Sequence, residues 1–307
     1  MFYILYYITF PLLWLISLLP LNVLYIVARG FYFLIYYVVG YRRKIVVRNL
    51  KNSFPEKSEK EIEIISKLFY KHFSKLFFEI IKQITIPTKE FKSRISYKNP
   101  EILHELYAKG KSCMVVTAHY GNWEWSAALA DCTKFKSMSV YKPLTNKPLE
   151  NMLSRMRTRF GAEVVPMNQA IRTLINYRNA NSPIMAYFIA DQTPMFHHTQ
   201  YWTEFLNQKT PVYLGVEKIA RQFNMAVLFY KMVKTGKGKY EVEIIKLFDD
   251  ISNLTEFEIT EAHVRELERT IIEKPEYWLW THRRWKWSHL ADEHKETMRN
   301  SFHSNQK

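Results

Sequence analysis

The chain has 307 residues, of which 48% are hydrophobic and 24% charged, a composition that fits a globular protein with a sizeable core and excludes a disordered chain. Aromatic residues reach 16%, and 44 Lys and Arg against 29 Asp and Glu leave a net charge of +15, which favours anionic partners such as phosphates, membrane surfaces or acidic proteins. The two cysteines, Cys113 and Cys132, exclude a disulfide scaffold and a cysteine-based zinc module.

The first charged residue is Arg29. Residues 2–19 form an apolar stretch that nearly reaches the roughly 20 residues needed to cross a bilayer, with a kink expected at Pro11. Pro20 breaks it, and 21–39 is a second apolar stretch interrupted by Arg29. A cleaved signal peptide would begin with basic residues and end in a small-residue cleavage site; neither is present. A buried core helix is the competing reading, and a membrane anchor or embedded helical hairpin is the preferred one. The basic cluster Arg42, Arg43, Lys44, Arg48 and Lys51 then places the body on the cytoplasmic side, where it can meet anionic headgroups.

Ser58 and Glu61 form a capping box. Behind it Ile62, Ile65, Phe69, Phe73, Leu76, Phe77 and Ile80 recur at helical spacing, so an amphipathic helix with an apolar core face is expected to run to about Ile86-Pro87. Residues 113–118, 164–165 and 184–190 are short apolar runs that suit buried strands. Helices are expected over 122–131 and 149–160, and another from Thr210-Pro211 to about Phe223. Strands at 226–230 and 240–245 flank a glycine-bearing hairpin turn, and a helix at 260–274 stops at Pro275. Strands alternating with helices imply an α/β domain with one mainly parallel sheet flanked by helices. The expected organisation is an anchor over 1–41, one catalytic domain over 42–290 and a polar tail over 291–307.

The sharpest chemical signal is the run from Thr117 to Trp125. A buried strand ends at His119, Gly121 permits a tight turn, and Asn122 can cap the helix that follows. Glu124 then falls on the first turn, where its carboxylate can be brought back onto the imidazole. That contact would fix the tautomer and make His119 a general base toward a hydroxyl. A packed or surface histidine is the ordinary alternative. No serine or cysteine sits in a nucleophile elbow, so a covalent acyl-enzyme is not implied. His197 and His198 lack a second ligand pair, and no metal is expected.

Several segments taken together resemble the lipid A biosynthesis acyltransferases, the late lauroyl/myristoyl acyltransferases of Gram-negative bacteria, within the glycerolipid acyltransferase superfamily and its His-x4-Asp signature. They are Tyr41-Arg42-Arg43-Lys44, Arg48-Asn49-Leu50, Ser53-Phe54-Pro55, His119 with Glu124, Tyr141-Lys142-Pro143, Arg155 to Gly161, Ala190-Asp191-Gln192, and Tyr277 to Lys286. Glu124 stands where the superfamily has Asp, and Lys142 where many relatives have Arg.

The resemblance implies a glycerol-3-phosphate-acyltransferase-like fold behind a membrane-anchoring segment. It also implies transfer of an acyl chain from an acyl thioester, usually acyl carrier protein and alternatively acyl-CoA, to a hydroxyl of a phosphorylated glycolipid. His119 would act as base with Glu124 orienting it, and no cofactor is called for. Arg159, and next Arg157, would steady the oxyanion. Asp191 would bind the acceptor or hold the site, and Gln192, Lys142, Arg283 and Arg284 would bind the acceptor. Arg283, Arg284 and Lys286, interleaved with Trp280, Trp285 and Trp287, suit a phosphorylated lipid at headgroup level, with an ordinary basic surface over half-buried tryptophans as the alternative. The setting implied is the cytoplasmic face of the inner membrane, amid membrane lipids. A lysophospholipid, aminolipid or other glycolipid acceptor would fit the same chemistry. A basic membrane-tethered protein for nucleic acid is the rival from another class, but the chain carries no nucleic-acid motif, so no nucleic-acid partner is expected.

Overall fold

The computed structural model describes residues 2–293. Helix α1 (Phe2–Leu18) carries Pro11 in its interior, and the sequence resumes after Pro20 as α2 (Leu21–Phe33), which continues through a π-helical turn, Leu34–Val38. Leu21, Leu24, Tyr25 and Ala28 recur at helical spacing and are buried. Residues on the opposite side are apolar as well and stay exposed: Ile26 is 67% and Val38 66% accessible. Leu21–Val38 is the one helix among the described residues that is long and apolar enough to cross a membrane, by length and composition.

Helix α3 (Arg43–Ser53) leads to α4 (Glu59–Lys82), whose start is the capping box expected from the sequence: Ser58 Oγ accepts from the Glu61 amide, and Glu61 accepts from the Ser58 amide at 2.9 Å. The face of α4 differs from expectation in part. Ile62, Phe69 and Leu76 are core residues, but Phe77 is 42% exposed and stacks on Phe31 of α2. Polar His72, Glu79 and Gln83 are buried instead. They lie seven and four residues apart, so they form one stripe along the helix.

After α5 (Thr88–Lys92), β1 (Ile95–Lys98) and α6 (Glu101–Ala108) come β2 (Cys113–Thr117), β3 (Lys136–Tyr141), α7 (Lys147–Thr158), β4 (Glu163–Pro166), α8 (Ala170–Asn179) and β5 (Ile184–Ile189). Every residue of β2 is buried, as a strand covered on both faces requires. Strands β6 (Tyr201–Phe205) and β7 (Gln208–Val212) form a separate antiparallel pair, followed by α9 (Gly215–Phe223). Thr210-Pro211 therefore lies in a strand, not at a helix start. Leu206 and Asn207 between the two strands both have positive φ, 48° and 59°, the backbone of a tight two-residue hairpin turn. Strands β8 (Ala226–Gly236) and β9 (Lys239–Phe248) are longer than the sequence suggests, and α10 (Glu258–Glu273) ends before Pro275.

Seven strands build one sheet in the order β1-β9-β8-β2-β5-β3-β4, parallel throughout except for the β8–β9 hairpin. The chain is thus an α/β protein with a mainly parallel sheet flanked by helices and preceded by the apolar N-terminal helices. Two apolar clusters fill it. Leu21, Leu24, Tyr25 and Ala28 share one of them with sheet residues such as Val115, Leu228 and Tyr240. The polar tail from 291 onward lies almost entirely outside the described residues.

Candidate active site

Strands β2, β5 and β3 are parallel neighbours, so the residues that follow them emerge together at the carboxyl edge of the sheet, where open α/β sheets place ligands. His119 follows β2, Lys142 follows β3, and Asp191 and Gln192 follow β5. Thr117 pairs with Ile189; two residues further along each strand, His119 stands opposite Asp191.

Asp191 is the carboxylate that holds the imidazole. Its Oδ1 lies 2.7 Å from His119 Nδ1, and its Oδ2 accepts from the His119 amide at 3.1 Å and from the Trp278 indole N–H at 2.8 Å. Burial works against the Asp191 charge, but the imidazole and these donors outweigh it and hold the carboxyl down at about 2. Burial also works against a charged His119. The Asp191 carboxylate overcomes this, with a smaller contribution through space from Glu124, so His119 titrates above the ordinary imidazole value. With Nδ1–H donated to Asp191, Nε2 is left as the acceptor. The Gln192 amide nitrogen lies 3.3 Å from it, and the Trp123 ring meets the imidazole edge to face, with centroids 5.1 Å apart.

Glu124 does not touch His119, contrary to the sequence expectation. Residues 123–132 form a 3-10 helix rather than an α-helix, and Glu124 turns toward α7. There Arg157 grips it with two bonds, Nε to Oε2 at 3.0 Å and Nη2 to Oε1 at 2.7 Å, the bidentate geometry that arginine favours. Arg159, expected at the oxyanion, is engaged elsewhere. Its guanidinium donates to the carbonyls of Gln83, Ile84 and Ile86 and so caps the end of α4. Arg157 keeps an amino group, Nη1, outside its pair with Glu124.

The turn between His119 and Glu124 is fixed from two sides. The segment 277–279 runs beside it: Gly121 N–H donates to Tyr277 O at 3.0 Å, and Leu279 N–H donates to His119 O at 3.1 Å. Gly121 has φ +62°, and a Cβ there would come within 2.8 Å of the Met232 carbonyl oxygen, so only glycine fits. From below, the polar stripe of α4 takes hold. His72 Nε2 donates to Gly121 O at 3.1 Å, Glu79 accepts from Asn122 Nδ2 at 2.9 Å, and Gln83 Nε2 donates to Glu124 O at 3.3 Å. Glu79 is fully buried; it also accepts from the hydroxyls of Tyr25 (2.7 Å) and Tyr240 (2.6 Å), with Lys234 at 3.6 Å. Burial drives His72 down to about 3, so it stays neutral.

The basic, tryptophan-rich segment near the end is an exposed strip only in part: Arg283 and Lys286 are exposed, and Trp285 and Trp287 are half-buried. Trp278 and Trp280 are core residues. Arg284 is only 3% exposed and lies behind Asp191, lining with His263 a cavity of about 10 Å³, about the space of one water. Arg284 therefore does not face an acceptor, whereas Arg283 and Lys142 are exposed. His282, which carries no signal of a role in the sequence, is close enough to feel both Asp191 and His119; burial lowers it to about 4. The residues missed were Glu79, Gln83 and Trp278. The buried polar stripe His72, Glu79, Gln83 inside an apolar helix was the available signal. Among the described residues no group of His, Cys, Asp and Glu is arranged to hold a metal.

A histidine with one nitrogen on a buried carboxylate and the other at the surface of a sheet edge can take a proton from a bound hydroxyl. The chain is 20% identical over 236 residues to a lipid A biosynthesis acyltransferase of Haemophilus influenzae, covering 76% of this chain and 72% of that protein. Residues 1–287 match the family described as bacterial lipid A biosynthesis acyltransferase. By that match over nearly its whole length, the chain belongs to the bacterial lipid A biosynthesis acyltransferase family.

Proposed function

We propose that this protein moves a fatty acyl chain from an acyl thioester, that of acyl carrier protein, to a hydroxyl of a phosphorylated lipid A precursor at the inner membrane of a Gram-negative bacterium. The observation that carries the mechanism is the 2.7 Å contact between His119 Nδ1 and Asp191. Nε2 accepts the proton as the hydroxyl oxygen attacks the thioester carbonyl. The tetrahedral intermediate collapses by breaking the C–S bond, and the proton on Nε2 passes to the departing thiolate. Acyl ester and free thiol are the products, and no acyl-enzyme forms. Asp191 holds the tautomer and offsets the charge on the imidazolium. Arg157, steadied by Glu124, is the cation in position to meet developing negative charge. Lys142, Gln192 and Arg283 are the exposed groups at the same edge for the acceptor's phosphates and hydroxyls.

The apolar N-terminal helices seat this edge at the membrane. One face of α2 is committed to α4, so the opposite face, with Ile26 and Val38, is the one that meets lipid. The cationic surplus draws an acidic carrier protein and a phosphorylated acceptor to the same side. A lysophospholipid or other glycolipid acceptor would use the same base and differ only in the exposed contacts.

The test is acyl transfer by detergent-solubilised protein, with acyl carrier protein thioesters of several lengths and a Kdo-bearing lipid A precursor competing against a lysophospholipid. Transfer to the sugar lipid, reduced about 10²- to 10⁴-fold in His119→Ala, is the expected result. Transfer to the lysophospholipid alone would move the acceptor assignment. Full activity in a folded His119→Ala protein would remove the base.

A further inference from the structure

A second pocket, about 460 Å³ in volume, opens at the elbow between α1 and α2. That volume is within the range of small-molecule sites and far above that of a single water. Three parts of the chain distant in sequence enclose it. The elbow supplies Leu18, Pro20 and Leu21; the end of α4 and the start of α5 supply Lys82 and Glu90; Arg94 and the tip of the β8–β9 hairpin, with Lys237, close the far side.

Each wall is tied in place. Lys82 is 7% exposed and donates to the carbonyls of Ser17 at 3.0 Å and Leu19 at 3.1 Å, and Thr85 Oγ1 donates to Ser17 O at 2.7 Å. Those bonds satisfy the open end of α1. Gly238 packs so closely on α2 that a Cβ there would collide with the Tyr25 hydroxyl, and Lys237 lies 5.4 Å over the Tyr25 ring.

The charge is one-sided. Three cations, Lys82, Arg94 and Lys237, face one carboxylate, Glu90, and Arg94 already grips Glu90 Oε1 at 2.6 and 3.1 Å. An ammonium has three donors, and Lys82 uses two of them on backbone carbonyls. Burial and the neighbouring Arg94 both disfavour its charge, with Glu90 in partial opposition; a bound anion would relieve that cost. The rim is apolar and outward-facing: Leu18 is 50% exposed, with Leu19 and Val23 beside it. A cationic hollow bordered by exposed aliphatic side chains suits a molecule with an anionic head and acyl tails.

We propose that this elbow pocket binds the phosphate of an anionic phospholipid headgroup. The site involves none of the residues assigned above to acyl transfer. It depends on the membrane seating only for its source of ligand. The headgroup would fasten the elbow to the lipid surface while the tails lie along the outer face of α2.

The experiment is native mass spectrometry of the full chain in dodecyl maltoside with limiting phosphatidylglycerol, so that binding is read without any turnover. Failure of the acyl-transfer reading and failure of this one are therefore separate results. One retained lipid per chain is expected, with apparent affinity reduced at least tenfold in Lys237→Glu and less than twofold in Lys246→Glu, which makes the same charge change at an exposed residue near the other end of β9, away from the elbow. Equal losses in the two variants would show general attraction to a basic surface and overturn the site. Displacement of the lipid by low millimolar glycerol phosphate would overturn the lipid assignment in favour of a soluble phosphate ester. Lys82→Met is the second variant; if it fails to fold, Lys237→Glu decides the matter.

Discussion

Asp191 and Glu79 are both buried carboxylates, and both hold the turn at residues 119–122, yet they answer to different partners. Asp191 binds the one group of the turn that titrates and reaches the surface, the His119 imidazole, whose side chain is 16% exposed. Glu79 binds two tyrosine hydroxyls and the Asn122 amide, all neutral and buried, with Lys234 nearby. The first arrangement places a negative charge where it changes the basicity of a reacting group. The second uses a negative charge as a many-sided acceptor that ties α2, β9 and the turn to α4. A buried carboxylate is thus chemical or architectural according to whether its partner can exchange a proton with a substrate. Substitutions at the two sites should separate these roles.

The largest effect is expected from Asp191→Asn. The amide can present an N–H rather than an acceptor to Nδ1, which favours the wrong tautomer, and acyl transfer should fall by about 10²- to 10⁴-fold. The sign of the pH effect follows from the charge. Asp191 raises the His119 pKa, and the base must be neutral to act. Rate is therefore lost as pH falls through that raised value in the parent protein, and the acid limb of the kcat/KM profile moves to lower pH in Asp191→Asn. A folded variant whose acid limb stays in place would dissociate Asp191 from the basicity of His119.

Glu79→Ala should show the opposite signature. It leaves Lys234 without its carboxylate and the Tyr25, Tyr240 and Asn122 donors without an acceptor, at a cost of about 3–5 kcal/mol of folding stability. Glu79→Gln keeps the volume and an acceptor oxygen and should cost about half as much. In either variant the residual activity should keep its acid limb, because Glu79 does not reach the imidazole. Denaturant titration and the pH–rate profile read the two quantities separately.

These two centres also differ in how far the sequence reveals them. The local features were legible: the Ser58–Glu61 capping box, the strand entering His119 and the glycine turn after it, the β8–β9 hairpin. Each depends on residues within a few positions of one another. The His119–Asp191 pair depends on the register Thr117 to Ile189, set by two strands that the sequence separates by β3, α7, β4 and α8. Spacing alone favoured the nearer carboxylate, Glu124, because an α-helical first turn would fold it back; the 3-10 geometry and the pull of Arg157 take it away. Thr210-Pro211 misled for a related reason. Threonine before proline suits a helix start, but it serves equally in a short strand, and the Leu206-Asn207 turn that decides the matter carries no glycine. The tryptophan-rich end reads as a surface because its arginines are charged. Trp278 and Trp280 are instead drawn inward by the bonds that pin 277–279 beside the turn.

Between the two carboxylates in expected effect lies the Glu124–Arg157 pair. If Glu124 acts by steadying Arg157, the single changes Glu124→Gln and Arg157→Met should each lower kcat/KM by up to about 10²-fold, the scale of a misplaced catalytic group. The double variant should then cost little more than either single change, since removing one partner already undoes the work of the other. Additive losses in this cycle would mean that Glu124 and Arg157 meet the substrates independently.

Arg159→Ala should have the smallest consequence, and it sharpens the division between chemistry and scaffold. Three backbone carbonyls at the end of α4 lose a charged donor. The arginine is exposed, so water can replace much of what is lost, and the stability cost should be about 1 kcal/mol. Gln83, whose carbonyl is one of the three, also holds the Glu124 carbonyl through its side chain. A small rise in KM can therefore travel along this path, while the acid limb of the pH profile should not shift. A rate loss comparable to that of Arg157→Met, in a protein of undiminished stability, would return Arg159 to the oxyanion.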